Sequence, residues 1–117
     1  MSLTLYGLKT CDTCRKAMAA LGEGGHKPAF VDIRAEPSVS ALIPGWIAAL
    51  GGAKIVNRAS MTWRQLSETD KARADDPATL PALLDEHRTL IKRPVIVTGP
   101  GAVHVGWSKD VRDALGV

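Results

Sequence analysis

The chain has only two cysteines, one phenylalanine, one tyrosine and three histidines in 117 residues, and each scarcity excludes something. The cysteines are Cys11 and Cys14, so there is no disulfide framework; a bridge between them would close a tiny loop and add little stability. There is no second Cys-x-x-Cys to complete a four-ligand zinc site; His26 is near, but His87 and His104 are isolated and far along the chain. No apolar run approaches the ~18 residues of a membrane span. There is no basic run either: 15 Lys and Arg are scattered among 12 Asp and Glu, and aromatics make up 4% of the chain, so an aromatic-studded basic face for nucleic acid is not expected. A net charge of +3 suits small anions better. Repeats and low-complexity tracts are absent. The N-terminus enters a strand pattern without a charged and then apolar leader, which predicts that the protein is not secreted. In a reducing cytoplasm a close cysteine pair is catalytic or sensing rather than structural.

What is present is enough for one globular domain: 45% hydrophobic and 23% charged residues in a chain long enough to bury a core. The most informative stretch is Thr4 to Leu21. Leu3–Tyr6 reads as a short strand, Gly7-Leu8-Lys9-Thr10 as a loop, and Cys11-Asp12-Thr13-Cys14 as the entry to a helix on which Cys14, Ala17, Met18 and Leu21 share a face. A cysteine at that junction meets free backbone N–H groups and the positive end of the helix dipole, which favour the reactive thiolate. Arg15 and Lys16 add positive charge within a turn. Half a zinc site and two inert core residues are the competing readings of the pair; the strand–loop–helix setting favours thiol chemistry.

Further along, Phe30, Val31 and Ile33 predict a second strand, parallel to the first through a βαβ unit. Ser40 is the expected cap of a helix to Leu50, with Pro44 in its first turn and Ile43, Trp46, Ile47 and Leu50 on its core face. Lys54–Ser60 reads as a loop or half turn, Thr62 as the cap of a short helix, and Ser67–Pro77 as a polar stretch with a turn at Asp75-Asp76-Pro77. Trp46 and Trp63 read as packing residues, and His87 as structural. Leu80, Leu83, Leu84 and His87 have helical spacing. A third strand follows Arg93-Pro94, Gly99-Pro100-Gly101 turns the chain, Val103–Val105 returns it, and Ser108 caps a last helix over Val111–Leu115.

Five segments in this order resemble the ArsC/Spx group of the thioredoxin superfamily, and most of all its short YffB-like members. They are Leu5-Tyr6-Gly7, Cys11-Asp12-Thr13-Cys14-Arg15-Lys16-Ala17, Asn57-Arg58 with Thr62-Trp63, Ile91-Lys92-Arg93-Pro94, and Val105-Gly106-Trp107-Ser108. The resemblance spans nearly the whole chain. It implies an α/β, thioredoxin-like βαβ–(helical insert)–ββα fold, with a mixed four-stranded sheet flanked by helices, in a single domain 1–117 whose insert covers about 38–90. It also implies that Cys11 is the nucleophile, that Arg15, Arg58 and Arg93 contact an anionic substrate, and that Pro94 follows a cis peptide beside the site. Arg58 stands one residue off the group's usual spacing to Trp63.

The implied activity is that of a cytoplasmic thiol–disulfide reductase. Glutathione would be co-substrate rather than bound cofactor, Cys14 a resolving thiol, and glutaredoxin a further partner; no metal is expected. Two alternatives stand beside it. One is arsenate reduction, disfavoured by Asp12 and Cys14 where arsenate reductases of the group carry glycine and serine, and by the lack of an arginine in Ala102–Trp107. The other is a Spx-like redox regulator that binds the RNA polymerase α subunit, disfavoured by an end at Gly116-Val117 without that branch's longer tail.

Overall fold

The computed structural model describes residues 2–117. In chain order the elements are β1 (Leu3–Gly7), α1 (Asp12–Glu23), β2 (Ala29–Asp32), α2 (Val39–Leu50), α3 (Gly52–Ile55), α4 (Met61–Gln65), α5 (Glu68–Arg73), α6 (Leu80–Glu86), β3 (Val95–Thr98), β4 (Val103–Val105) and α7 (Lys109–Leu115), with a 3-10 turn at Arg88–Leu90 ahead of β3. They form two compact units. One joins the chain up to Glu36 with Arg93–Val117, and the other is Pro37–Lys92.

The first unit holds the sheet. Strand order is β2-β1-β3-β4, with β1 and β2 parallel and the other pairs antiparallel. This is the mixed sheet of a thioredoxin-like fold. Along β1, Leu3, Leu5 and Gly7 are buried while Thr4 and Tyr6 are half-buried, the period-two alternation of a strand. Leu3 and Leu5 pack with Cys14, Ala17 and Leu21 of α1, Ile96 of β3 and Leu115 of α7. The three α1 residues recur at three- and four-residue intervals, so one stripe of the helix meets the sheet. Ser108 caps α7 as expected, its hydroxyl accepting from Val111 N–H at 3.3 Å. At the other end of α7, Leu115 carbonyl and the His26 ring are hydrogen-bonded at 3.0 Å.

The second unit is helical around Val39, Ile43, Trp46, Ile55, Leu80, Leu83, Leu84 and Leu90. Its C-terminal end is tied to the segment after α3: Asn57 N–H donates to Leu90 carbonyl at 2.9 Å, and Lys92 N–H to Ile55 carbonyl at 2.7 Å. Two local expectations need correction here, and two more gain detail. Helix α2 starts at Val39, so Pro44 lies inside it rather than in its first turn. The helix continues because Pro44 is on the solvent side, while Val39, Ile43 and Trp46 are buried opposite. The loop or half turn expected over Lys54–Ser60 begins in the helical turn α3. Ser60, not Thr62, caps α4, accepting from Trp63 N–H at 3.1 Å, and the Thr62 hydroxyl instead meets that of Thr89 at 2.8 Å. Within the polar stretch Ser67–Pro77 the structure adds a helix that no expectation named, ahead of the expected turn: Ser67 accepts from Asp70 N–H at 3.1 Å, with Glu68 and Asp70 in the first turn of α5 and Lys71 and Arg73 in its last. Cap and dipole chemistry produce that helix where apolar periodicity is missing.

Candidate active site

Strands β1 and β3 run antiparallel with Tyr6 opposite Val95, so the exit of β1 lies beside the entry to β3. Sheet pairing therefore brings two distant stretches of sequence together: the loop to Cys11, and Arg93-Pro94. The Arg93–Pro94 peptide is cis, and Pro94 carbonyl accepts from Gly106 N–H at 2.8 Å, which holds this entry to the start of the segment after β4.

The loop after β1 closes with Cys11 N–H donating to Leu8 carbonyl at 3.0 Å. Cys11 is then the N-cap residue of α1, in extended conformation, and its carbonyl accepts from Arg15 N–H at 3.0 Å. At rest its side chain makes no capping hydrogen bond of full geometry. The Cys14 backbone N–H nevertheless stands where it favours a charged sulfur. Cys11 is half-buried and Cys14 wholly buried, and both are free thiols.

The two sulfurs differ in proton affinity. Partial burial pushes the Cys11 thiol up, but this is outweighed by the Cys14 N–H, the Cys14 thiol and the hydrogen bond and charge of Arg93, which bring it below its ordinary value. Burial pushes the Cys14 thiol up to about 11; Leu8 N–H and Arg93 oppose this, while hydrogen bonding to Cys11 and the Cys11 charge add to it. The outer sulfur gives up its proton more readily than an ordinary thiol, and the inner one holds it more tightly.

Of the residues expected at the site, Cys11, Cys14, Arg93 and Pro94 are brought together. Arg15 is exposed and its guanidinium pairs with Asp12, so the cation that joins the Cys14 N–H and thiol in lowering the proton affinity of Cys11 is Arg93 rather than Arg15. Arg58 belongs to the Pro37–Lys92 unit, where it pairs with Asp75 at 3.0 Å and lies 4.7 Å from the centre of the Trp63 ring. Trp63, expected as a packing residue, is half-buried and has two cations over it, since Lys71 stands 5.9 Å from its centre. Gly7 and Leu8, expected only as loop residues and, for Gly7, as part of the Leu5-Tyr6-Gly7 segment, have backbones that flank the Cys14 sulfur. Among the described residues no three His, Cys, Asp or Glu side chains gather as a metal site, and no helix is long and apolar enough to cross a membrane.

Comparison with known proteins places this geometry. The ArsC family profile matches residues 6–115. An uncharacterized protein of Haemophilus influenzae is 35% identical over 107 residues, covering 92% of each chain. An arsenate reductase of Rhizobium meliloti is 30% identical over 117 residues, covering 98% of this chain and 82% of its own. Among solved structures, the protein titled YFFB (PA3664) superposes with a TM-score of 0.85 at 36% identity over 97% of both chains. The match extends from the end of β1 to the end of α7 and includes both cysteines and the cis proline. The chain belongs to the ArsC family.

Proposed function

We propose that the protein is a cytoplasmic thiol–disulfide reductase that works through Cys11 with glutathione as co-substrate. The observation that carries this reading is the opposed proton affinity of two cysteines three residues apart, one lowered beside Arg93, the other raised by burial. The Cys11 thiolate attacks one sulfur of a disulfide RSSR′, forming a Cys11–S–S–R bond and releasing R′S⁻. A glutathione thiolate then attacks the Cys11 sulfur, displacing RS⁻. A second glutathione takes the bound glutathione sulfur, giving oxidised glutathione and regenerating Cys11. Overall, RSSR′ and two glutathione thiols become two thiols and one glutathione disulfide. Cys14 is buried and protonated, which favours resolution by glutathione from solution. The exposed Lys9 and Lys16 beside the site suit an anionic thiol.

Turnover with glutathione and a panel of oxidants, including a low-molecular-weight disulfide, a glutathionylated peptide and arsenate, tests the reading. Cys11→Ser should abolish it, and Cys14→Ser should retain measurable turnover. A Cys11→Ser protein as active as wild type would refute the proposal. Arsenate turnover well above disulfide turnover would transfer the assignment to the activity for which the Rhizobium meliloti relative is named.

A further inference from the structure

Gly7 is the last residue of β1, and its backbone conformation is not one that requires glycine, because positive φ angles fall at other glycines. What it supplies is room. A Cβ built there would overlap the Cys14 Sγ, and would lie 3.2 Å from Cys14 Cβ and 3.3 Å from Leu5 Cδ2. The strand cannot retreat. Gly7 is in register with Asp32 of β2, and its carbonyl accepts from Ile33 N–H at 3.0 Å. Nor can α1 easily move away, since Cys14 is part of the stripe packed with Leu5, Ala17, Leu21 and Ile96. The Cys14 sulfur is thus enclosed by the Gly7 backbone on one side and the Leu8 N–H on another, and the polar direction left to it is toward Cys11.

We propose that Gly7 is a positioning residue of the site: the space of its missing side chain seats the Cys14 sulfur and so aims the Cys14 thiol at the Cys11 sulfur. The inference rests on the reading of Cys11 as the nucleophile. It adds that Cys14 serves as a fixed hydrogen-bond donor to the thiolate, and that a strand residue outside the cysteine motif sets that donor's direction. The titratable groups bearing on Cys11 are Cys14 from α1 and Arg93 from the segment before β3, so a change at Gly7 should reach Cys11 through Cys14.

The experiment is a double-mutant cycle of Gly7→Ala and Cys14→Ala, with two readouts in each protein: the titration of Cys11 followed by thiolate absorbance, and thermal stability. Gly7→Ala should raise the Cys11 pKa, cutting its thiolate fraction about tenfold, roughly the effect of one hydrogen bond to a charged group, and after the Brønsted return should slow its alkylation at neutral pH about threefold. Cys14→Ala should do the same, and the double variant should be no different from Cys14→Ala in titration or rate. Gly7→Ala should lower stability alone, and should cost far less in the Cys14→Ala background, where the sulfur is gone. If Gly7→Ala does not fold, recovery of a folded double variant carries the seating step, and failure to recover overturns it. A folded Gly7→Ala protein with a wild-type Cys11 titration overturns the proposal while leaving Cys11 as nucleophile. A wild-type Cys11 that titrates at or above an ordinary thiol sinks the parent reading instead.

Discussion

Iodoacetamide added to the native protein at neutral pH should modify Cys11 and spare Cys14. Raising a thiol from its ordinary 9.0 to about 11 makes its thiolate fraction about a hundredfold smaller at any pH well below both values. The rarer thiolate is intrinsically more nucleophilic, and a Brønsted slope of about 0.4–0.5 returns roughly tenfold of that loss. Ionisation alone therefore leaves Cys14 about tenfold slower than an ordinary thiol. Two further factors widen the gap. Cys11 lies below the ordinary value, and the Cys14 side chain is 0% exposed, so a reagent reaches it only through local opening.

Intact-mass spectra taken over time should show one adduct appearing and persisting, and a second only after denaturation. Both cysteines lie between Lys9 and Arg15, so a single tryptic peptide carries them and fragmentation assigns the adduct. Two adducts growing in step in the folded protein, or Cys14 modified first, would refute the assignment of roles.

Replacing Arg93 with Met should raise the Cys11 pKa and move the inflection of the alkylation-rate profile to higher pH, because it removes both a hydrogen bond and a charge that favour the thiolate. Leu21→Ala, at a fully buried position of the α1 stripe, should cost about 2–5 kcal/mol in urea unfolding. Ser67→Ala should cost about 1 kcal/mol by losing the cap of α5, and the loss should appear in protection of the Pro37–Lys92 amides. In the pH dependence of stability, Cys14 has a defined sign. The folded protein holds its proton up to about 11 whereas an unfolded thiol releases it near 9.0, so its contribution is complete below 9.0 and is lost as the pH rises toward 11. Compared in a Cys11→Ser background, the protein with Cys14 should lose more stability across that window than the one with Cys14→Ala.

Much of the first unit was legible because its signals are local. The strand at Leu3–Tyr6 (one residue longer in the structure), the Cys14–Ala17–Leu21 stripe, the Gly99-Pro100-Gly101 turn and the Ser108 cap each belong to one short segment and match the structure. The Pro37–Lys92 unit was less legible for the same reason. Its helices α3 to α5 are four to six residues long, too short for a hydrophobic period to show, and Ser60 and Ser67 start two of them through caps hidden in a polar background. At the site, the residue types were readable but their directions were not. Arg15 is one turn from Cys11 and would be the natural choice to stabilise its charge, yet Asp12 offers it a carboxylate within three residues and takes it. Arg93 acts on Cys11 from the far half of the chain because β3 pairs with β1, which no spacing within a motif discloses.

The same reasoning explains why two cysteines in one motif have opposite properties. Residues three apart on a helix share a face, but Cys11 is the cap residue and lies just outside the helix, with its own dihedral angles. It therefore sits at the rim, where helix N–H groups and Arg93 meet solvent. Cys14 is the first residue of the buried stripe and is carried under the sheet against Gly7. Burial raises the proton affinity of the inner thiol, and the retained proton makes it a donor to the outer sulfur, so the desolvation that disables Cys14 as a nucleophile is what equips it to assist Cys11. Moving the inner sulfur toward water should therefore weaken both effects at once. A variant that exposes Cys14 and lowers its pKa while leaving Cys11 as acidic as before would show that they have separate causes.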